Sequence, residues 1–220
     1  MERSNHAVGA FNLGSSKIPK ALKLRAGPGW KPNIKIRVKK PDIIDVYPGP
    51  GNLRIAIGKA TSGSTIRLAG ATYEIEKSIK VEKEITIEGA ADGSTMLKSM
   101  EDLENPFMYF FKVSPGGKLI MNNLTLDALD QNSIKYALVS PSENESGLYS
   151  IYADNCIFQN FKTKNGGSIF KAYIGTKADT LSFSKTRFEN SYRGLNLSYD
   201  KYNIGKYNAN VIMLKNTVFK

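Results

Sequence analysis

Short alternating segments dominate the middle of the chain. Thr65–Leu68 places Ile66 and Leu68 on one side, Tyr73–Ile75 repeats the pattern, Ile79 and Val81 repeat it again, and Ile85 and Ile87 end the run at Gly89. Period-two alternation over so few residues predicts half-buried β-strands, and strands this short bury a face only by stacking on neighbours. Ile43–Tyr47 predicts a strand ended by the turn Pro48-Gly49-Pro50-Gly51. Asn33–Lys39, with Ile34, Ile36 and Val38 on one face, predicts another that Pro41 stops. Asn52 is read as the N-cap of a helix over Leu53–Ala60, whose Leu53, Ala56, Ile57 and Ala60 share a face. Such a helix would cover the open end of a stacked array, where strand edges lack partners.

The second half repeats. Leu119–Leu126, Ile151–Phe158, Leu181–Phe188 and Ile212–Phe219 superpose, and their last positions, 126, 158, 188 and 219, are separated by 32, 30 and 31 residues. A fixed period near thirty is the mark of a solenoid. One inward column is Leu119, Ile151, Leu181 and Ile212; a second is Met121, Ala153, Phe183 and Leu214; a third is Leu126, Phe158, Phe188 and Phe219. A polar corner column holds Asn123, Asn155, Lys185 and Asn216. Asparagine tolerates the left-handed backbone conformation and can bond its counterpart one coil away, so Lys185 interrupts an otherwise regular ladder. A horseshoe of strand-and-helix repeats needs a helical face in each repeat. Gly166–Tyr173 and Gly194–Tyr199 read instead as turn plus strand. The expected architecture is all-β: a single-stranded right-handed parallel β-helix of the pectin-lyase-like kind, with a short N-terminal capping helix. The repeated strand Ile212–Phe219 is followed only by Lys220. The reading expects this end to be covered by a partner or to belong to an excised fragment.

Charge divides the chain. Residues 1–40 carry ten Lys or Arg against one acid, Glu2, whereas the remaining 180 carry 21 basic and 19 acidic residues. Residues 1–42 are therefore read as a basic linker or leader with one strand, and 43–220 as the β-helix domain. Gly14, Pro19, Gly27, Pro28, Gly29 and Pro32 break up the leader, a short helix is expected near Lys20–Arg25, and Trp30 would anchor it. A basic leader can attract polyanions. No groove-reading motif or stacking platform accompanies it, so nucleic acid is not the expected partner. No apolar run is long enough to span a membrane, and no apolar region follows Met1–His6 as a secretory signal would require.

Candidate chemistry is narrow. Cys156 is the one cysteine and His6 the one histidine, which rules out an intrachain disulfide, a cysteine-based metal cluster, a histidine triad and a multi-histidine metal site. The loops of the later coils gather Lys171, Tyr173, Lys177 and Asp179, then Tyr192, Arg193, Tyr199, Asp200, Lys201, Tyr202, Lys206 and Tyr207. Guanidinium pairs with carboxylate as a fork, and tyrosine rings lie against the apolar faces of sugars. Lys171, Arg193, Tyr199, Lys201 and Tyr202 are therefore the candidate substrate-binding residues, set against a plainer reading as solvated loops. Glu143 and Glu145 flank Asn144 in a loop opened by Pro141, a spacing with which two carboxylates can reach one Ca²⁺. A solvated loop is the commoner meaning, and neither catalytic nor metal-ligating residues are assigned.

Three runs carry a family resemblance: Gly175-Thr176-Lys177-Ala178-Asp179-Thr180-Leu181, Phe188-Glu189-Asn190, and Asn203-Ile204-Gly205-Lys206-Tyr207-Asn208-Ala209-Asn210. With Thr65-Ile66-Arg67-Leu68 and Ile85-Thr86-Ile87-Glu88-Gly89, they resemble the two-domain alginate lyases of polysaccharide lyase family 6, a chondroitinase-B-like β-helix group. The likeness covers residues 43–220 and is to the C-terminal β-helix domain, while Ala26-Gly27-Pro28-Gly29-Trp30 resembles the linker between the two helices. The resemblance implies β-elimination on a uronic-acid polysaccharide, with a lysine base, an arginine acid and Ca²⁺ held by Asn and Glu. Those groups belong to the family's first domain, and no motif here receives them. It further implies an acidic polysaccharide ligand, an upstream catalytic β-helix domain as partner, and an extracellular or periplasmic location. This segment would support catalysis and hold no cofactor of its own. A structural, carbohydrate-binding or adhesive β-helix without lyase activity is the alternative.

Overall fold

Eighteen strands and one helix make up the described part of the computed structural model, which covers residues 42–100, 108–129, 134–143, 145–162, 167–197 and 208–220. The leader, its expected helix, the strand at Asn33–Lys39 and Trp30 lie outside the described residues.

Three parallel sheets form the walls of a β-helix. The seven-stranded sheet stacks β1 (Ile43–Val46), β2 (Ser64–Leu68), β5 (Glu84–Glu88), β8 (Lys118–Asn122), β11 (Leu148–Asp154), β14 (Lys177–Ser184) and β17 (Ala209–Lys215) in that order. The six-stranded sheet stacks β3 (Thr72–Ile75), β6 (Met96–Ser99), β9 (Thr125–Asp127), β12 (Ile157–Gln159), β15 (Arg187–Glu189) and β18 (Val218–Phe219). The five-stranded sheet stacks β4 (Ile79–Val81), β7 (Tyr109–Val113), β10 (Tyr136–Val139), β13 (Ser168–Lys171) and β16 (Leu195–Asn196). Each strand except the two at the ends of its sheet pairs with its counterparts in the preceding and following coils, so the walls are hydrogen-bonded along the coil axis.

The three inward columns read from the repeat are the observed registers. Leu119, Ile151, Leu181 and Ile212 are partners in β8, β11, β14 and β17, as are Met121, Ala153, Phe183 and Leu214. Leu126, Phe158, Phe188 and Phe219 are partners in the six-stranded sheet. All but the last member of each column are buried, whereas Ile212, Leu214 and Phe219 on the terminal coil are 42%, 48% and 52% exposed. The rings of Phe158, Phe183 and Phe188 meet edge to face at 5.2–6.4 Å between centroids, a geometry that aromatic quadrupoles favour.

The corner ladder is real, and Lys185 belongs to it. Asn123, Asn155, Lys185 and Asn216 all adopt positive φ, at 56°, 51°, 48° and 50°. Lysine therefore interrupts the ladder in chemistry and not in backbone shape. A second ladder occupies the next corner, where the Asn190 amide donates to Asn160 Oδ1 at 2.7 Å and the Asn160 amide donates to Asp127 Oδ1 at 2.8 Å. One coil before Asn123 the corner residue is Gly89, where an added Cβ would lie 2.2 Å from the Asn123 carbonyl oxygen. Only glycine fits that approach.

Helix α1 (Asn52–Lys59) buries Leu53, Ala56 and Ile57, the face expected from the sequence. Its cap differs from the expectation. Gly51, at φ 67°, is the N-cap with no side-chain bond, and Asn52 is the first helical residue. The Asn52 amide instead donates to the Tyr47 carbonyl at 3.2 Å. The Pro48–Gly51 turn drives the backbone into a left-handed conformation that glycine enters freely, which moves the cap one residue earlier. No helix among the described residues is long and apolar enough to cross a membrane.

Candidate functional site

The outward face of the five-stranded sheet carries the charged and aromatic groups. Lys80, Lys112, Val139, Lys171 and Asn196 are register partners on β4, β7, β10, β13 and β16 and form one row along the axis of the coil. Neighbouring strands lie about 4.8 Å apart, so Lys112 and Lys171, two strands apart, stand roughly 10 Å from one another across Val139. Val139 is fully buried yet lies outside the apolar core, as an apolar floor between two lysines should.

Beside the row is a cleft of about 230 Å³ lined by Tyr109, Lys112, Ser142, Glu143 and Tyr173. The turn after β13 sets Tyr173 in place: its N–H donates to Ser140 Oγ at 2.7 Å, and Thr176 Oγ1 donates to the Tyr173 carbonyl at 2.7 Å. Lys112 Nζ bonds Ser142 Oγ and lies 3.5 Å from Glu145 Oε1, while Glu145 Oε2 accepts from the Ser142 N–H at 2.8 Å. Lys80 pairs with Glu82. Lys171 Nζ sits 5.9 Å from the centre of the Tyr173 ring, and the Arg193 guanidinium 4.9 Å from that of Tyr192.

Lys171 is held below the ordinary lysine range, first by burial and then by the positive charge of Arg193, with Glu143 opposing. The Tyr173 phenol is pushed up, chiefly by burial and further by Tyr136, Tyr109 and Glu143. These mutual fields place Lys171, Arg193, Glu143 and the three tyrosines in one neighbourhood. The carboxylates of Glu82 and Glu145 offset Lys80 and Lys112.

Of the residues chosen from sequence, Lys171 and Arg193 are brought together. Tyr199, Lys201 and Tyr202 lie outside the described residues. Lys177 and Asp179 fall on β14, in a different sheet from Lys171. Glu143 and Glu145 do not converge on a shared cation, because Glu145 is turned onto Lys112 and Ser142 while Glu143 lines the cleft. Tyr109, Lys112 and Tyr136 were not expected. They sit on β7 and β10, whose sequences Tyr-Phe-Phe-Lys-Val and Tyr-Ala-Leu-Val do not alternate cleanly.

No protein-family model matches the chain, and no curated protein matches it in sequence. Solved structures do. The PL6 family alginate lyase AlyGC superposes with a TM-score of 0.72 at 21% identity, over 86% of this chain and 26% of that one. An arginine-to-alanine mutant of the same enzyme gives 0.71 at 20% identity, over 88% and 27%. The fold is that of the PL6 alginate lyases. This chain spans about a quarter of the length of those lyase structures. Among the described residues no three or more His, Cys, Asp or Glu side chains gather as a metal site, and Glu145 is engaged by Lys112.

Proposed function

We propose that the chain is a β-helix module of a polysaccharide lyase that acts on a uronic-acid polysaccharide of the alginate kind. The module holds the acidic chain and supports elimination carried out elsewhere. The observation that carries this reading is the cleft between Tyr109 and Tyr173, with Lys112 and Lys171 in one row and Arg193 beside them. Tyrosine rings offer flat amphipathic surfaces to sugar faces, and a lysine beside a guanidinium is a cationic pair that suits a carboxylate. The fold likeness supports the uronan assignment and, with it, an extracellular or periplasmic location. Tyr199, Lys201 and Tyr202, which lie outside the described residues, stay candidate sugar contacts in this proposal on their residue types alone.

The reading is tested by affinity electrophoresis through gels containing alginate. The chain should be retarded, and Lys171→Ala and Arg193→Ala should each migrate more freely. The chain alone should give no rise in ultraviolet absorbance from unsaturated products, with or without Ca²⁺. Unretarded migration of the wild type favours a purely structural or adhesive β-helix. Robust product formation rejects a supporting role.

A further inference from the structure

The three carboxylates on this face are not equivalent. Glu82 is paired with Lys80, and Glu145 with Lys112 and the Ser142 N–H. Glu143 lines the cleft and, among the described residues, takes no hydrogen bond and forms no close ion pair, although its field reaches Lys171 and Tyr173. A carboxylate only accepts, so a ligand group that bonds Glu143 from within the cleft must be a donor. The other lining groups are two tyrosine rings, a lysine and a serine, which suit a ring with apolar faces, one anionic substituent and hydroxyls at its edge.

From this we infer that the cleft takes a single hexuronate ring bearing a free vicinal hydroxyl pair, with Glu143 accepting from both hydroxyls, so that O-acetylated uronan is rejected. The inference rests on the proposed uronan binding and adds the chemistry that sorts one uronan from another. Acetylation replaces a donating O–H with an ester that only accepts. It would face Glu143 with another acceptor and remove the donor that the free hydroxyl supplies. Sites built to bond a hydroxyl discriminate strongly against analogues that cannot supply it.

The test is calorimetric titration of the full chain with a chemically O-acetylated uronan oligosaccharide and with its deacetylated parent. The wild type should bind the deacetylated form about tenfold more tightly, as expected for one lost charge-assisted bond. Glu143→Gln keeps the shape and offers an amide donor to the ester, so it should bring the two affinities together. Glu143 is exposed, so the variant should keep the wild-type circular dichroism. Equal binding of both ligands by the wild type, or an unchanged ratio in Glu143→Gln, overturns the inference and leaves the uronan assignment standing. Binding of neither ligand overturns both.

Discussion

The side-chain amide of Asn155 donates to Oδ1 of Asn123 in the preceding coil, 2.8 Å away. The next rung is Lys185, which holds the same left-handed backbone but offers no acceptor to the ladder. Its ammonium reaches Asp154 at 3.8 Å, an exposed pair, and such pairs contribute about 0–1 kcal/mol. Left-handed backbone costs an ordinary L-residue about 1–2 kcal/mol, and asparagine relieves part of that by bonding locally. Lys185→Asn should therefore stabilise the coil by about 0.5–1 kcal/mol. Thermal melting should show a rise of about 1–4 °C for a chain of this size. A fall in melting temperature would mean that the ladder contributes nothing beyond its backbone shape.

Cys156 stands in a column with Thr186 and Thr217, one residue past the corner. Thr186 and Thr217 donate to the carbonyls of Ala153 and Phe183 in the coil before, at 3.3 and 2.9 Å, and the Cys156 thiol points to the Met121 carbonyl at 3.5 Å. Burial pushes the thiol up from 9.0 to about 12. The folded state thus keeps a proton that the unfolded chain releases. The stabilisation is complete below pH 9 and is lost as the pH rises toward 12, at a slope near 1.4 kcal/mol per pH unit. Tyr149, raised by burial as well, adds to the alkaline loss at higher pH. Cys156→Thr should fold, bond as its two column partners do, and flatten the slope just above pH 9. Urea denaturation across that range measures it. Thiol reagents should label the wild type only as fast as it unfolds, because the thiol is fully buried.

The phenylalanine column predicts a gradient. Phe158 is fully buried, with Phe183 and Phe188 rings at 6.4 and 5.7 Å. Phe158→Ala should cost about 3–5 kcal/mol, since neighbours fixed by register cannot collapse into the void. Phe219→Ala, on a residue that is half exposed, should cost well under half as much. Chemical denaturation of the two variants checks the order. Equal losses would mean that the last coil is covered in solution.

Tyr73 joins the first coil to the strand before it. Its hydroxyl donates to the Val46 carbonyl at 2.7 Å and accepts from the Ala69 N–H at 2.9 Å. Tyr73→Phe leaves both groups without that partner, at a cost of about 1–3 kcal/mol. The loss should be local. Hydrogen exchange should quicken over Ile43–Val46 while β8 and β11 keep their protection.

The later coils were legible in the sequence because apolar residues recur there at one spacing and each corner carries a polar marker. Leu119, Ile151, Leu181 and Ile212 needed only counting. The first coils were harder: partners Ile66 and Ile87 are 21 residues apart, while Ile87 and Met121 are 34 apart. Strands β7 and β10 left no clear pattern, since Phe110 and Ala137 are buried next to inward-facing Phe111 and Leu138 and so mask the alternation. That is why the sequence singled out Lys171 and Arg193 as candidates and passed over Lys112 and Tyr109. A site spread over several coils is assembled by register, and register comes only from knowing every strand in the row.

Glu145 gives the last prediction. Its Oε1 lies 3.5 Å from Lys112 and its Oε2 accepts from the Ser142 N–H, so the protein's own carboxylate competes for Lys112 with the uronate of the proposed function. Glu145→Gln keeps an oxygen for the Ser142 N–H and removes the charge. Releasing a lysine from a partly exposed pair is worth about 0.5–1 kcal/mol to an incoming anion, or a two- to fivefold gain in affinity. The gain should shrink as salt is raised, because it is a screened surface term. It should leave the response to acetylation unchanged, since Glu143 is untouched. Titrations with deacetylated uronan at two salt concentrations decide it. Unchanged or weaker binding at low salt would show that Lys112 takes no part in holding the acidic chain.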